Sequence, residues 1–345
     1  MRKLTLLFIL GLAISAFAGC GGSSVQSVAP TTWTQGSAQD RADLLSDAGR
    51  YPEFIEDPVY EADLPMSSLL PAQVGSLAAQ AEIDPITFRR RVHVVTRSFE
   101  FAFTDTDSVG RPTRAILTIT KELTGTFNIL ADDTTGSFNR PQTIKKTLSE
   151  HWTRRLEFVR QAPPPDEDGD DDGDDDDGHG SIARRNVGTY GNGKGHGHGH
   201  GDSKRGNWEL TAVSLIDVDS QEAGTEIMSV QFQAAGLDTT ISDPQALIAV
   251  GSLPALAPGT EVTVTVTTNA ADDIVLLLTR NHRARLQSNG PNTYSGTFTL
   301  PASLGCHHFG VDAISHATLF DSVAPYDSET WLFPIRAVSG ALATR

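Results

Sequence analysis

Apolar side chains recur at every second position through most of the chain beyond residue 86, the period of a strand with one buried face. Four segments carry the pattern first. Residues 86–104 place Phe88, Val92 and Val94 on one face, then continue with Phe99, Phe101 and Phe103 in the opposite phase. A one-residue phase change in a strand requires a bulge or sharp bend, expected at 96–98. Residues 113–130 are rich in Thr and Ile and read as a long strand, with a break expected at Gly125. Residues 147–160 carry Trp152, Leu156 and Phe158 at even spacing, and residues 207–218 carry Trp208, Leu210, Ala212, Ile216 and Val218. Together the four predict an antiparallel meander with one buried face.

A second group of strands is expected at 227–234, 245–250, 261–268, 274–279, 293–300, 307–314 and 330–338. Val262, Val264 and Val266 alternate there with threonines, and turns fall at Pro258-Gly259, Asn289-Gly290-Pro291 and Leu304-Gly305. Seven short strands over about 110 residues suggest a sandwich. Helical spacing is confined to the front of the chain, at 38–48 with Leu44 and Leu45, and at 72–83 after Pro71. Pro52, Pro58 and Pro65 favour an extended path between them. The predicted fold class is therefore mainly β. It has short N-terminal helices, an antiparallel meander over 38–219 interrupted by a long disordered hairpin loop, and an immunoglobulin-like sandwich over 225–340.

The first residues follow a different logic. Met1, Arg2 and Lys3 precede an apolar run over 4–18, too short to cross the hydrocarbon core. Phe17-Ala18-Gly19-Cys20 resembles the lipobox of bacterial lipoproteins. That resemblance implies that residues 1–19 are a signal peptide, that Cys20 carries diacylglycerol, and that the new amino terminus is acylated. Two or more acyl chains anchor stably where one does not. Phe17 departs from the usual leucine, which would slow processing. Residues 20–37 are small and polar, a disordered tether. The implied location is the bacterial cell envelope, on a membrane, facing periplasm or exterior, with the membrane as a partner through Cys20. The stretches Pro258-Gly259-Thr260-Glu261-Val262-Thr263-Val264 and Tyr294-Ser295-Gly296-Thr297-Phe298 resemble bacterial immunoglobulin-like modules of envelope proteins. That resemblance implies spacing or adhesion, with an envelope protein or polysaccharide as partner. Two helices before long antiparallel strands are also similar to the NTF2-like fold, which implies a curved sheet holding a small ligand.

Charge is unevenly spread. Without Arg2 and Lys3 the chain has 25 basic against 43 acidic side chains, and ten of those carboxylates fall within Asp166–Asp177. This argues against nucleic acid, which needs a basic patch. The acidic run lies in a segment, 163–206, that opens on Pro163-Pro164-Pro165 and continues into glycine-rich repeats. Such a composition buries no core, so it reads as a disordered loop. The flanking strands are too short to stand alone, so the loop joins a hairpin and does not link domains.

Candidate chemistry concentrates in that loop. His196, His198 and His200, with His179 as a fourth donor, could hold Zn, Cu or Ni, although glycine spacing does not preorganise them. Asp166, Asp168, Asp170, Asp172 and Asp174 offer the hard oxygens that Ca takes, without matching an EF-hand loop. Both sets read equally as a solvated low-complexity tract. A third grouping is Cys306, His307, His308, Asp312 and His316, of which Cys306, His308 and Asp312 share a strand face; His282 is available from elsewhere. With Cys20 lipidated, Cys306 has no disulfide partner and reads as a small buried hydrophobe. No nucleophile elbow, zinc-protease helix motif or phosphate loop occurs. The expectation is a non-enzymatic, lipid-anchored envelope protein presenting a binding or structural surface. The alternatives are a periplasmic metal-handling protein using the histidine-rich loop, and a small-ligand-binding or hydrolytic β domain.

Overall fold

A computed structural model describes residues 34, 36–56, 67–68, 83–133, 140–161, 207–222, 224–280 and 282–339. In chain order the elements are α1 (Ala38–Ala48), α2 (Pro52–Ile55), β1 (Ser67–Ser68), β2 (Ile83–Thr106), β3 (Pro112–Asp133), β4 (Gln142–Arg160), β5 (Trp208–Val213) and β6 (Ile216–Ser220). These are followed by β7 (Ile227–Ala234), β8 (Leu237–Ile241), β9 (Ile248–Ala249), β10 (Ala255–Leu256), β11 (Glu261–Thr268), β12 (Ile274–Thr279) and β13 (His282–Arg285). The last are β14 (Gln287–Gly290), β15 (Thr293–Thr299), β16 (Gly305–Ile314), α3 (His316–Phe320) and β17 (Ser328–Ala337). Among the described residues no helix is long and apolar enough to cross a membrane.

The meander is present. β2 pairs β3, β3 pairs β4, and β4 pairs both β5 and β6, all antiparallel. The phase change in β2 is real. Val94 faces Leu123 and Thr96 faces Glu122, which leaves Val95 as the extra residue, one position before the expected stretch. A further register shift falls at Ile86; between it and Val95 the even residues point inward with Phe88, and after Val95 the odd residues do, with Phe103. The expected break at Gly125 does not occur. Gly125 pairs Val92 on one side and Leu148 on the other, and the strand runs through. Its reason is proximity: a Cβ there would lie 1.8 Å from the Arg91 carbonyl oxygen.

The expected hairpin is also formed. Arg160 pairs Trp208, and the Gln161 amide donates to the Asn207 carbonyl at 2.9 Å, so the chain on either side of 162–206 is closed by strand pairing. Residues 162–206, which include His179, His196, His198, His200 and the run Asp166–Asp177, lie outside the described residues, as do the expected signal, Cys20, and 72–82 of the second expected helix. Ile83, its last residue, begins β2 instead.

One sheet takes strands from both sides of the boundary expected near 219–225. Its order is β1-β2-β3-β4-β6-β17-β16-β12-β13, with β5, β9 and β10 off that path. It curls on itself. Arg90 of β2 donates to Asp312 of β16 at 3.0 Å although four strands lie between them in the sheet order. Lys146 of β4 donates to the carbonyls of Asp321 and Ala324, at 2.7 and 2.6 Å, beyond the end of α3. Inside the curl lies a core of Phe88, Phe127, Trp152, Phe158, Leu276 and Leu332 among others. At one end of the curl sits α1, started by a Ser37–Asp40 capping box. Asp40 also accepts from Arg160 at 2.8 Å, and the Arg160 guanidinium stacks 4.4 Å over Trp208.

The second sheet, β14-β15-β11-β7-β8, packs on the outside of β12, β16 and β17. Val230, Phe232, Val264 and Val266 meet Phe309, Val311, Trp331 and Phe333 there, with Phe232 and Phe333 4.5 Å apart. Three strands are thus buried on both faces. That is why 274–278 and 331–335 are nearly continuous apolar runs and not alternating ones. Pro334 is tolerated inside β17 because it falls where β6 has stopped, at Leu332, and before β10 begins, at Arg336. The expected strand at 245–250 contracts to β9 and a short 3-10 turn, Val250–Ser252.

Candidate carboxylate cleft

The sequence Ile216-Asp217-Val218-Asp219 alternates, so β6 turns Ile216 and Val218 into the curled core and both aspartates to the other face. Its two neighbours complete the surroundings. Asp219 lies between His151 of β4 and Glu329 of β17, and Asp217 between Thr153 and Trp331. On β17 this same face is covered by the second sheet, but on β4 and β6 it is not. The aspartates therefore sit at the step where the second layer ends. The step forms a cleft of about 460 Å³, lipped by Met228 on one side and by 242–245 on the other.

Asp217, Asp219 and Glu329 bring one carboxylate oxygen each within 4.8 Å of one another. Among the described residues they are the one grouping of three His, Cys, Asp or Glu side chains that could hold a metal ion. Glu329 is fixed from behind. The Ile227 amide donates to Oε2 and the Trp331 indole donates to Oε1 at 2.7 Å. Asp217 is held less firmly, by Gln245 Nε2 at 3.4 Å. Two acceptors in the cleft, Asp217 Oδ1 and Gln245 Oε1, are inaccessible to water and accept no hydrogen bond among the described residues. A buried acceptor without a donor costs about 1–3 kcal/mol, and a cation or a donor would remove that cost.

The electrostatics agree. Burial, then the neighbouring Asp219 charge, pushes the Asp217 carboxyl up to about 7. Burial pushes Glu329 to about 7, against the pull of its two hydrogen bonds. Asp219 is raised by burial and partly lowered by His151, whose Nδ1 is engaged by Glu122 at 2.9 Å. Like charges crowded in a partly dry site bind protons when they have no cation.

The grouping around Cys306 resolves differently. Cys306, His308 and Asp312 do share the inner face of β16, but among the described residues no metal set forms with them. Asp312 accepts from Arg90 and from Thr330 at 2.9 Å. His307 turns outward to the Ser303 carbonyl at 2.8 Å, and His316 stacks on Phe320 at 4.3 Å. Burial, with Arg154 and His307 nearby, takes His308 down to about 3, so its imidazole is neutral. Burial pushes the Cys306 thiol to about 11, which makes it a poor nucleophile.

Sequence reasoning missed the cleft. Asp217 and Asp219 at a period of two read as an ordinary solvated strand face, and Glu329 precedes an apolar run. Nothing in the sequence states that β6 and β17, 110 residues apart at the Asp219–Glu329 pair, are neighbours. No protein family, no curated protein and no solved structure matches this chain.

Proposed function

We propose that this chain is a non-enzymatic, lipid-anchored protein of the bacterial cell envelope whose two-layer β body binds a divalent cation in the carboxylate cleft. The lipobox resemblance at Cys20 supports the anchoring, and the resemblance to immunoglobulin-like modules supports a spacing or adhesive role for the C-terminal layers. The observation that carries the cation reading is the convergence of Asp217, Asp219 and Glu329 within 4.8 Å beside two acceptors that lack donors. All of these are oxygen ligands, the set that calcium or magnesium takes, and among the described residues no sulfur or nitrogen ligand joins them. The cleft is open at the layer step, so a bound ion would also stay accessible to an acidic group of an envelope protein or polysaccharide.

A titration calorimetry series on the full chain with calcium, magnesium and zinc tests this. A calcium or magnesium isotherm that is lost in Glu329→Gln supports the reading. An isotherm unchanged by that substitution removes it and returns metal binding to the histidine- and aspartate-rich loop. Anchoring is tested separately: Cys20→Ala moves the protein out of the membrane fraction, and a mutant that stays there contradicts lipid anchoring.

A hydrolytic reading has one specific support, two carboxyls near 7 in one cleft, poised for general acid and base work. It differs in a simple respect. A cation would inhibit such an enzyme by ionising its acid, whereas the binding reading needs the cation.

A further inference from the structure

β2 is a strand of 24 residues that has, among the described residues, a neighbour on one side along its length and little on the other. On the open side, described strand partners reach it at Thr87 and Phe88, through β1, and at Phe103, through Thr34. Over residues 91–102 no described strand pairs with that edge. The same stretch holds Val94, Val95 and Phe99, exposed at 41 %, 55 % and 37 %. A shallow cleft of about 580 Å³ lies against it, lined by Phe99, Glu100, Phe101, Ala102, Thr118 and Arg41. A long edge with exposed apolar groups is a template for another strand.

We propose that this edge is closed by the same edge of a second copy, with the two β2 strands antiparallel about a two-fold axis between Val95 and Thr96. The bulge supplies the complementarity. From Phe88 to Val94 the inward residues are even-numbered, and after Val95 they are odd-numbered. In a two-fold antiparallel pair, opposed residues must point to the same side. The front half of one β2 therefore matches the back half of the other when the opposed residue numbers add to an odd value. With the axis between Val95 and Thr96, inward Val92 faces inward Phe99 of the second copy and inward Val94 faces Arg97. Outward Arg91 faces outward Glu100, and this pair occurs twice. The outward row before the bulge is basic, with Arg91 and His93, and the outward acid after it is Glu100. The two bulges meet at the axis, so neither forces the other strand out of register. The paired stretch 91–100 is about 33 Å long.

Sedimentation of the full chain in detergent, over a range of protein concentrations, tests the pairing. The expected mass is twice that of one chain plus bound detergent. Arg91→Glu and Glu100→Arg each oppose like charges twice and should return the monomer; the double variant Arg91→Glu/Glu100→Arg restores the opposed charges and should return the dimer. Both residues are exposed, and unchanged far-ultraviolet circular dichroism shows that each variant is folded. Val95→Pro is the second variant and should also give the monomer. A native chain that is monomeric at all concentrations overturns the proposal, as it would if the chain's own residues 57–66 cover the edge. A dimer unaffected by the single charge changes, or not restored by the double, overturns it as well.

Discussion

Replacing Asp217 by Asn should stabilise the cation-free protein fully at pH 8 and by roughly 40 % of that amount at pH 5, which is already above the unfolded value. Asp217 rises from 3.8 to about 7 and Glu329 from 4.5 to about 7, so between about pH 4 and 7 the folded chain holds protons that the unfolded chain has released. Stability is then complete below the unfolded values and is lost as pH rises through the folded ones. A rise of about three units at 1.36 kcal/mol each sets an upper bound of about 4 kcal/mol for one such carboxyl. Water at the mouth of the cleft and the shared titration of the three groups reduce this, and about 2 kcal/mol is expected for one substitution. Asn keeps the shape, loses the charge, and can donate to Gln245 Oε1, which lacks a donor. With a denaturant slope of about 3 kcal/mol/M, a gain of about 2 kcal/mol moves the urea midpoint up by about 0.7 M. The assay is urea unfolding with a chelator present at pH 5 and pH 8, followed by tryptophan fluorescence. Saturating calcium at pH 8 should reverse the order, stabilising the native chain and not the variant. A variant less stable than the native chain at pH 8 without cation would refute the reasoning, because the carboxylate would then be a favourable member of the cleft.

Gly125→Ala should cost more than 3 kcal/mol or prevent folding, since its Cβ meets the Arg91 carbonyl at 1.8 Å and β2 would have to leave β3; thermal melting checks this. Asp312→Ala should cost about 3 kcal/mol by leaving Arg90 with Glu150, at 3.7 Å, as its buried acid, while the triple variant Arg90→Met/Glu150→Gln/Asp312→Ala, which removes all three charges, should recover part of it in the same urea assay. Replacing residues 163–206 by a turn of about four residues should keep the fold and add about 2 kcal/mol, from loop-closure entropy alone; loss of the folded circular dichroism signal would contradict the hairpin.

Local rules read the strands well and their neighbours poorly. The alternation around Val262 and the run from Ile274 gave β11 and β12 their bounds, because each side chain's exposure follows from the layer it faces. The phase change in β2 was visible because six apolar residues mark it. Short polar strands such as β8 and β14 left no such mark, since their partly or fully exposed residues carry little apolar alternation. Gly125 looks like a break in sequence, and only the partner backbone shows why it is glycine. The long-range pairing of β6 with β17 decides most about function and was least legible. It turns two unremarkable aspartates and one glutamate into a cleft, and it makes a single curled sheet of segments that read as two domains. Local periodicity contains no information on which strands meet after 110 residues.

Terbium, a luminescent calcium substitute, tests the carboxylate cleft most directly, because Trp331 donates its indole to Glu329 and would sensitise an ion bound there. Excitation of tryptophan in the full chain should yield terbium emission that calcium displaces. The emission should be lost in Asp217→Asn/Glu329→Gln and retained when residues 166–177 are replaced by Gly and Ser. Emission that survives the double substitution, or that disappears with the acidic run, would contradict the cleft as the cation site.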